Sequence, residues 1–173
     1  LAAWSRVATE PWVGMGVADD SATKARPFIC DLPGEDCSVS QLEFWQRIQA
    51  AAEDHYDRSD ACSFTTFVGY EYTDAPEFKN MHRNVIFRNE NVTRTPINTY
   101  DTGTQNVPEL WRRLRQECID AETSCDVLSI PHNPNLSGGL MFPDPANEQQ
   151  AIDRDFFEPL VELTQHKLSL IHI

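Results

Sequence analysis

Apolar and polar positions along this chain change period several times, and each change marks an element. Ser40 and Glu43 form a capping-box pair, and Leu42, Trp45, Ile48, Gln49 and Ala52 follow at helical spacing, which predicts an amphipathic helix to about Tyr56. The stretch FTTFVGYEYT, Phe64 to Thr73, is dense in aromatic and β-branched side chains that fit a pleated, buried surface, so a strand is predicted there. NVIF, Asn84 to Phe87, predicts a second, shorter one. Asn106-Val107-Pro108-Glu109 then combines an N-cap residue, a first-turn proline and an acidic residue three beyond the cap, ahead of Leu110, Trp111, Leu114 and Cys118 on one face. A second helix is predicted. DVLSI (Asp126 to Ile130) and LVELT (Leu160 to Thr164) are apolar runs of strand length, separated by a Gly/Pro/Asn loop and the acidic NEQQAIDRDFF segment. Residues 1–37 show no sustained period and carry Pro11, Pro27, Pro33, Gly14, Gly16 and Gly34, which reads as an irregular insertion region. Helices alternating with short strands give the fold class α/β.

Composition narrows the partners. At 173 residues and 40% hydrophobic content the chain is long enough for one domain with a proper core. No apolar run approaches the ~20 residues that cross a bilayer, so no membrane span is expected. Lys and Arg total 14 against 27 Asp and Glu, a net charge of -13, which repels phosphate backbones and excludes nucleic acid as the expected partner. That acidity serves solubility or gathers carboxylates around cations.

The five cysteines fall as CDLPGEDC (Cys30, Cys37), CIDAETSC (Cys118, Cys125) and Cys62. Neither pair has the Cys-x-x-Cys spacing of zinc knuckles. Two local disulfides, Cys30–Cys37 and Cys118–Cys125, with Cys62 reduced, would suit a periplasmic or secreted protein. Five idle or buried thiols are the other reading.

Two histidines stand beside asparagines at strand edges, in NMHRNVIFRN (His82) and SIPHNPNLSGG (His132). Glu71 ends one predicted strand and His132 lies just beyond another, where α/β proteins gather their functional groups. If the strands of Glu71 and Asn84 pair as an antiparallel hairpin, His82 returns to the same rim. A carboxylate and two imidazoles are ligands for Zn²⁺, Mn²⁺ or Fe. Asn84, Asn133 and Asn135 offer amide groups to orient ligands or substrate. A lone strand-edge histidine is also a common structural residue, and no fixed motif such as His-Glu-x-x-His ties the three together. Gly138 and Gly139 either let their loop approach a ligand or make an ordinary turn. His55, at the polar end of the first helix, reads as a solvated or capping residue.

FTTFVGYEYT, NMHRNVIFRN, Leu110-Trp111, IPHNPNLSGGLMF and PLVELTQHK together resemble the bacterial domain of unknown function 3604 family, related to the PHP (polymerase and histidinol phosphatase) metal-dependent phosphoesterases. The resemblance covers residues 38–167 and implies part of a distorted (β/α)7 barrel. It matches Glu71, His82 and His132 to metal ligands, and implies hydrolysis of a small-molecule ester or phosphoester by a metal-activated water. Arg83 would either pair with a phosphate oxygen or bridge a carboxylate of the rim. The family's HxH and late Asp-x-His motifs do not occur in these residues, so the chain reads as the middle of the domain and is expected to be inactive alone. Residues 168–173, LSLIHI, read as a non-native tail that gives His172 no role, and Gln165, His166 and Lys167 are left out of the ligand set. The competing function is a secreted, disulfide-stapled binding module that holds Ca²⁺ or a protein without catalysis. Calcium prefers oxygen ligands and would not need the histidines.

Overall fold

The computed structural model describes Cys30, residues 32–34 and residues 36–162. Three strands form one antiparallel sheet in the order β1-β2-β3: β1 is Val68–Tyr72, β2 is Arg83–Phe87 and β3 is Val127–Pro131. Helix α1 spans Cys37–His55, α2 Thr99–Thr102, α3 Val107–Leu114 and α4 Glu148–Phe157. The fold is a mixed one of helices around a small antiparallel sheet. The predicted irregular character of residues 1–37 falls almost wholly outside the described residues.

Period-two alternation gives the sheet two unlike faces. Val68, Tyr72, Val85, Phe87, Val127 and Ser129 are buried and point to one side, where Trp45, Leu110, Trp111, Leu114 and Phe157 complete the core. Trp45 anchors α1 there by stacking edge-on to Tyr70, with centroids 5.7 Å apart, and by donating its indole N–H to Thr93 O at 2.9 Å. Burial pushes the Tyr70 and Tyr72 phenols well above their ordinary range, so both stay protonated donors and acceptors of the core.

Several elements differ from the sequence reading. α1 starts at Cys37, ahead of the Ser40–Glu43 pair, because the Asp36 carboxylate accepts from Ser38 N at 2.9 Å and caps the helix first. Of its predicted stripe only Trp45 is buried, while Ile48 is exposed. β1 is shorter than FTTFVGYEYT, and Phe64 and Phe67 lie outside it with 59% exposure each. Asn106 does occupy the N-cap position of α3, but its amide donates to Thr102 O instead of capping. Leu160–Glu162 form no strand, and the rest of LVELT lies outside the described residues, as do Gln165, His166, Lys167 and the tail.

The two cysteine pairs are bonded as Cys30–Cys37 and Cys118–Cys125, and Cys62 is free and exposed. The second disulfide bridges the π-helical turn Arg115–Ile119, which continues α3, to the loop before β3. Among the described residues, no helix is long and apolar enough to cross a membrane.

Candidate metal centre

Strand geometry assembles this site. Tyr72, Arg83 and Pro131 are buried on the helix side, so their neighbours Glu71, His82 and His132 project from the opposite face. β1 and β2 pair with Glu71 opposite Asn84 and Tyr72 opposite Arg83, the hairpin that the sequence reading required. β2 and β3 pair Arg83 with Pro131, and one step further the His132 N–H donates to His82 O at 3.2 Å. All three candidate ligands therefore meet at one end of the sheet.

His82 Nδ1 lies 2.8 Å from Glu71 Oε1, and His132 Nε2 lies 3.8 Å from the same oxygen. One ligand atom from each residue falls within 4.8 Å of the others. Two ligands at about 2.1 Å from a shared ion in tetrahedral geometry stand about 3.4 Å apart, so 2.8 and 3.8 Å bracket the required spacing. The histidine side chains are 15% and 11% exposed and Glu71 is 44% exposed, which leaves the cluster open on its carboxylate side.

The loops beneath the cluster are tied down. Between β1 and β2, Met81 N donates to Asp74 O at 2.7 Å, and Asp74 Oδ2 accepts from Gln105 N at 2.6 Å. Asn80 N donates to Leu136 O at 2.9 Å, joining this loop to the one after β3. Asn133 adopts a left-handed conformation at φ 61° directly after His132, and its amide Nδ2 donates to His132 Nδ1 at 3.1 Å. Asparagine tolerates that backbone better than most residues.

Not every residue singled out from the sequence sits at this cluster in the same way. Asn84 lies across from Glu71 on the open face. The Asn135 and Asn133 side-chain oxygens are buried, with no hydrogen-bond partner among the described residues. Arg83 takes the carboxylate-bridging arrangement, in the core instead of on the rim. Its Nε donates to Glu158 Oε1 at 3.0 Å, and its two Nη groups donate to Met81 O and Met141 O at 2.8 and 2.9 Å. With 2% of its side chain exposed, that guanidinium offers no face to a ligand. Gly138 and Gly139 both have positive φ, at 59° and 87°, the left-handed backbone of a tight turn. His55 is exposed in the last turn of α1 with Nδ1 2.9 Å from Ala51 O.

Glu162 was not singled out from the sequence. Its N–H donates to Pro131 O at 3.0 Å, and its Oε2 accepts from Asn133 N at 3.3 Å, so it steadies the residue that orients His132. Nothing in LVELT marks this role, which depends on where β3 ends.

A two-histidine, one-carboxylate triad on the open face of a small α/β sheet defines a candidate metal-binding protein. The chain belongs to the family described as "Protein of unknown function (DUF3604)", whose model matches residues 10–169. No curated protein and no solved structure matches it.

Proposed function

We propose that the chain is part of a metal-dependent hydrolase that cleaves phosphoesters in the manner of the PHP enzymes its HRNVIF and IPHN blocks resemble. The observation that carries this reading is the convergence of Glu71 with His82 and His132. Two nitrogens and one carboxylate oxygen suit Zn²⁺, Mn²⁺ or Fe, and disfavour the all-oxygen Ca²⁺ site of a non-catalytic binding module. When bound, such ions supply Lewis acidity that makes a water nucleophilic at neutral pH and neutralises phosphoester charge.

The chain's own residues hold and orient. His82 and His132 present ring nitrogens from fixed strand ends, Asn133 sets the orientation of the His132 ring, and Glu71 offers its carboxylate from the exposed side. The PHP resemblance implies further histidine ligands beside these three, and turnover is proposed for the completed ligand set. The two disulfides suit a periplasmic or secreted protein.

The test is hydrolysis of 4-nitrophenyl phosphate by the full-length protein after chelation and reloading with Zn²⁺ or Mn²⁺. Activity that returns with metal, and not in a Glu71→Gln variant, supports the reading. Activity indifferent to chelator overturns it.

A further inference from the structure

The sheet face that carries the triad continues past it as an apolar shelf. Cross-strand register lays this face out in rows: Glu71 pairs with Asn84, which pairs with Ile130, and the next row is Gly69, Ile86 and Leu128. Each of these residues is partly or fully exposed, in contrast to Val85 and Ser129 between them on β2 and β3, which are buried. Phe67, 59% exposed, precedes β1 at the far end.

An open depression of about 370 Å³ lies over part of this face, lined by Phe67, Gly69, Glu71, Asn84 and Ile86 together with Tyr70 and Val85. That is within the range of small-molecule sites. Glu71 belongs both to the wall of this depression and to the ligand cluster, so a molecule lying here reaches the triad with one end. Gly69 keeps the floor low. A Cβ there would stand 2.9 Å from Val85 O, so the close strand approach excludes any side chain at that position.

The chemistry of the shelf is one-sided. None of Phe67, Gly69, Asn84, Ile86, Leu128 and Ile130 is cationic, the one arginine of β2 is turned into the core, and the chain carries a net charge of -13. At the end of these rows the exposed Arg88 is already paired with Asp126 at 3.2 Å, so a nucleotide or other polyanion would find no unpaired counter-charge along them. A flat aromatic or branched alkyl group would bury apolar surface against Ile86, Leu128 and Phe67.

We propose that this shelf is the substrate-selecting subsite, and that it takes the uncharged, apolar organic group of a monoester whose reacting end lies at Glu71, His82 and His132. The assignment of the reacting end rests on the metal-hydrolase reading; the apolar subsite stands on the sheet face alone.

The experiment uses 1-naphthol, which has no ester and needs no metal, with binding followed by its fluorescence. Zinc content and circular dichroism are measured on the same samples. The intact chain should bind 1-naphthol saturably, Ile86→Asp and Leu128→Asp should each weaken it at least about tenfold, and Ile86→Met should restore it. His55→Ala, at the exposed end of α1, should leave it unchanged. Absence of saturable binding by the folded chain overturns the proposal, as does binding that survives both aspartate substitutions. Self-association of the chain that Ile86→Asp abolishes and 1-naphthol does not compete with also overturns it, because the face would then be a subunit contact. A chain without substitutions that binds 1-naphthol and no zinc would instead remove the metal reading and leave the subsite standing.

Discussion

Asn133 Nδ2 lies 3.1 Å from His132 Nδ1, and an amide N–H can only donate, so Nδ1 accepts and the ring proton resides on Nε2. Nε2 is also the nitrogen nearest Glu71 Oε1, at 3.8 Å. To ligate through Nε2, the ring must carry its proton on Nδ1, and Asn133 must turn its amide so that Oδ1, buried without a partner among the described residues, accepts it. Asn133→Asp supplies an acceptor in either orientation and should tighten zinc binding. Asn133→Ala should weaken it by about tenfold to a hundredfold. Zinc titration of the two variants checks this, and equal affinities in both would contradict it.

The Arg83–Glu158 pair should behave as a structural element. Glu158 Oε1 accepts from Arg83 Nε, from Trp111 Nε1 at 3.2 Å and from Ser129 Oγ at 3.3 Å, so one carboxylate oxygen joins β2, α3 and β3. Arg83→Met strands that carboxylate in the core and should cost about 3–5 kcal/mol in urea unfolding. Arg83→Met combined with Glu158→Leu removes both charges and should recover much of the loss.

The same pair shows what the sequence could and could not reveal. Local signals were legible: alternation in NVIF, the short strand at DVLSI and the stripe Leu110, Trp111, Leu114 and Cys118 each correspond to a described element. The hairpin linking Glu71 to His82 is one that two strands and a short loop allow, and the antiparallel pairing of β1 and β2 realises it. Partners far apart in sequence were not legible. Arg83 and Glu158 stand 75 positions apart, and whether an arginine beside a rim histidine faces solvent or core depends on strand phase and on the helix packed beneath. Aromatic density misled at Phe64 and Phe67, because propensity records a fit to pleated surfaces and says nothing of where pairing stops. At α1, two capping signals competed and the upstream carboxylate of Asp36 prevailed over Ser40.

Gly69→Ala should destabilise the hairpin although alanine is small. Its Cβ would meet the Val85 carbonyl oxygen at 2.9 Å, and backbone on a paired strand cannot move aside as a side-chain tip can. The expected loss is about 1–3 kcal/mol, read by thermal melts, with faster amide exchange across β1 and β2.

Thiol chemistry should distinguish the cysteines. Cys62 is exposed and unbonded, while the other four form two disulfides. Maleimide should label the native chain once, at Cys62, and all five positions after denaturing reduction. Reduction without denaturation should also loosen the turn between Cys118 and Cys125, which the bond closes together with the Asn89 Nδ2 donation to Ser124 O at 2.9 Å. Labelling of Cys118 or Cys125 in the untreated protein would contradict the pairing.

The triad itself gives the decisive comparison. His132 is nearly buried, yet it projects from the face opposite the core, with its backbone held by His82 O and its ring by Asn133. If His132 is a ligand, His132→Ala removes a zinc donor while the strand ladder beneath it, built from backbone groups, stays intact; zinc binding should collapse and melting of the metal-free chain should barely move. If it is a structural histidine, the same change leaves Asn133 without its acceptor, lowers stability by roughly 1–3 kcal/mol and does not alter zinc. His82→Ala and Glu71→Gln extend the comparison, because Glu71 Oε1 is close to both rings and each substitution removes one donor from a set of three. A shared ion requires all three variants to lose zinc together. A mere ion pair between His82 and Glu71 predicts that His132→Ala retains whatever zinc the wild type binds. Elemental analysis beside metal-free thermal melts therefore separates a metal centre from a polar cluster, and unchanged zinc stoichiometry in all three variants would end the metal assignment.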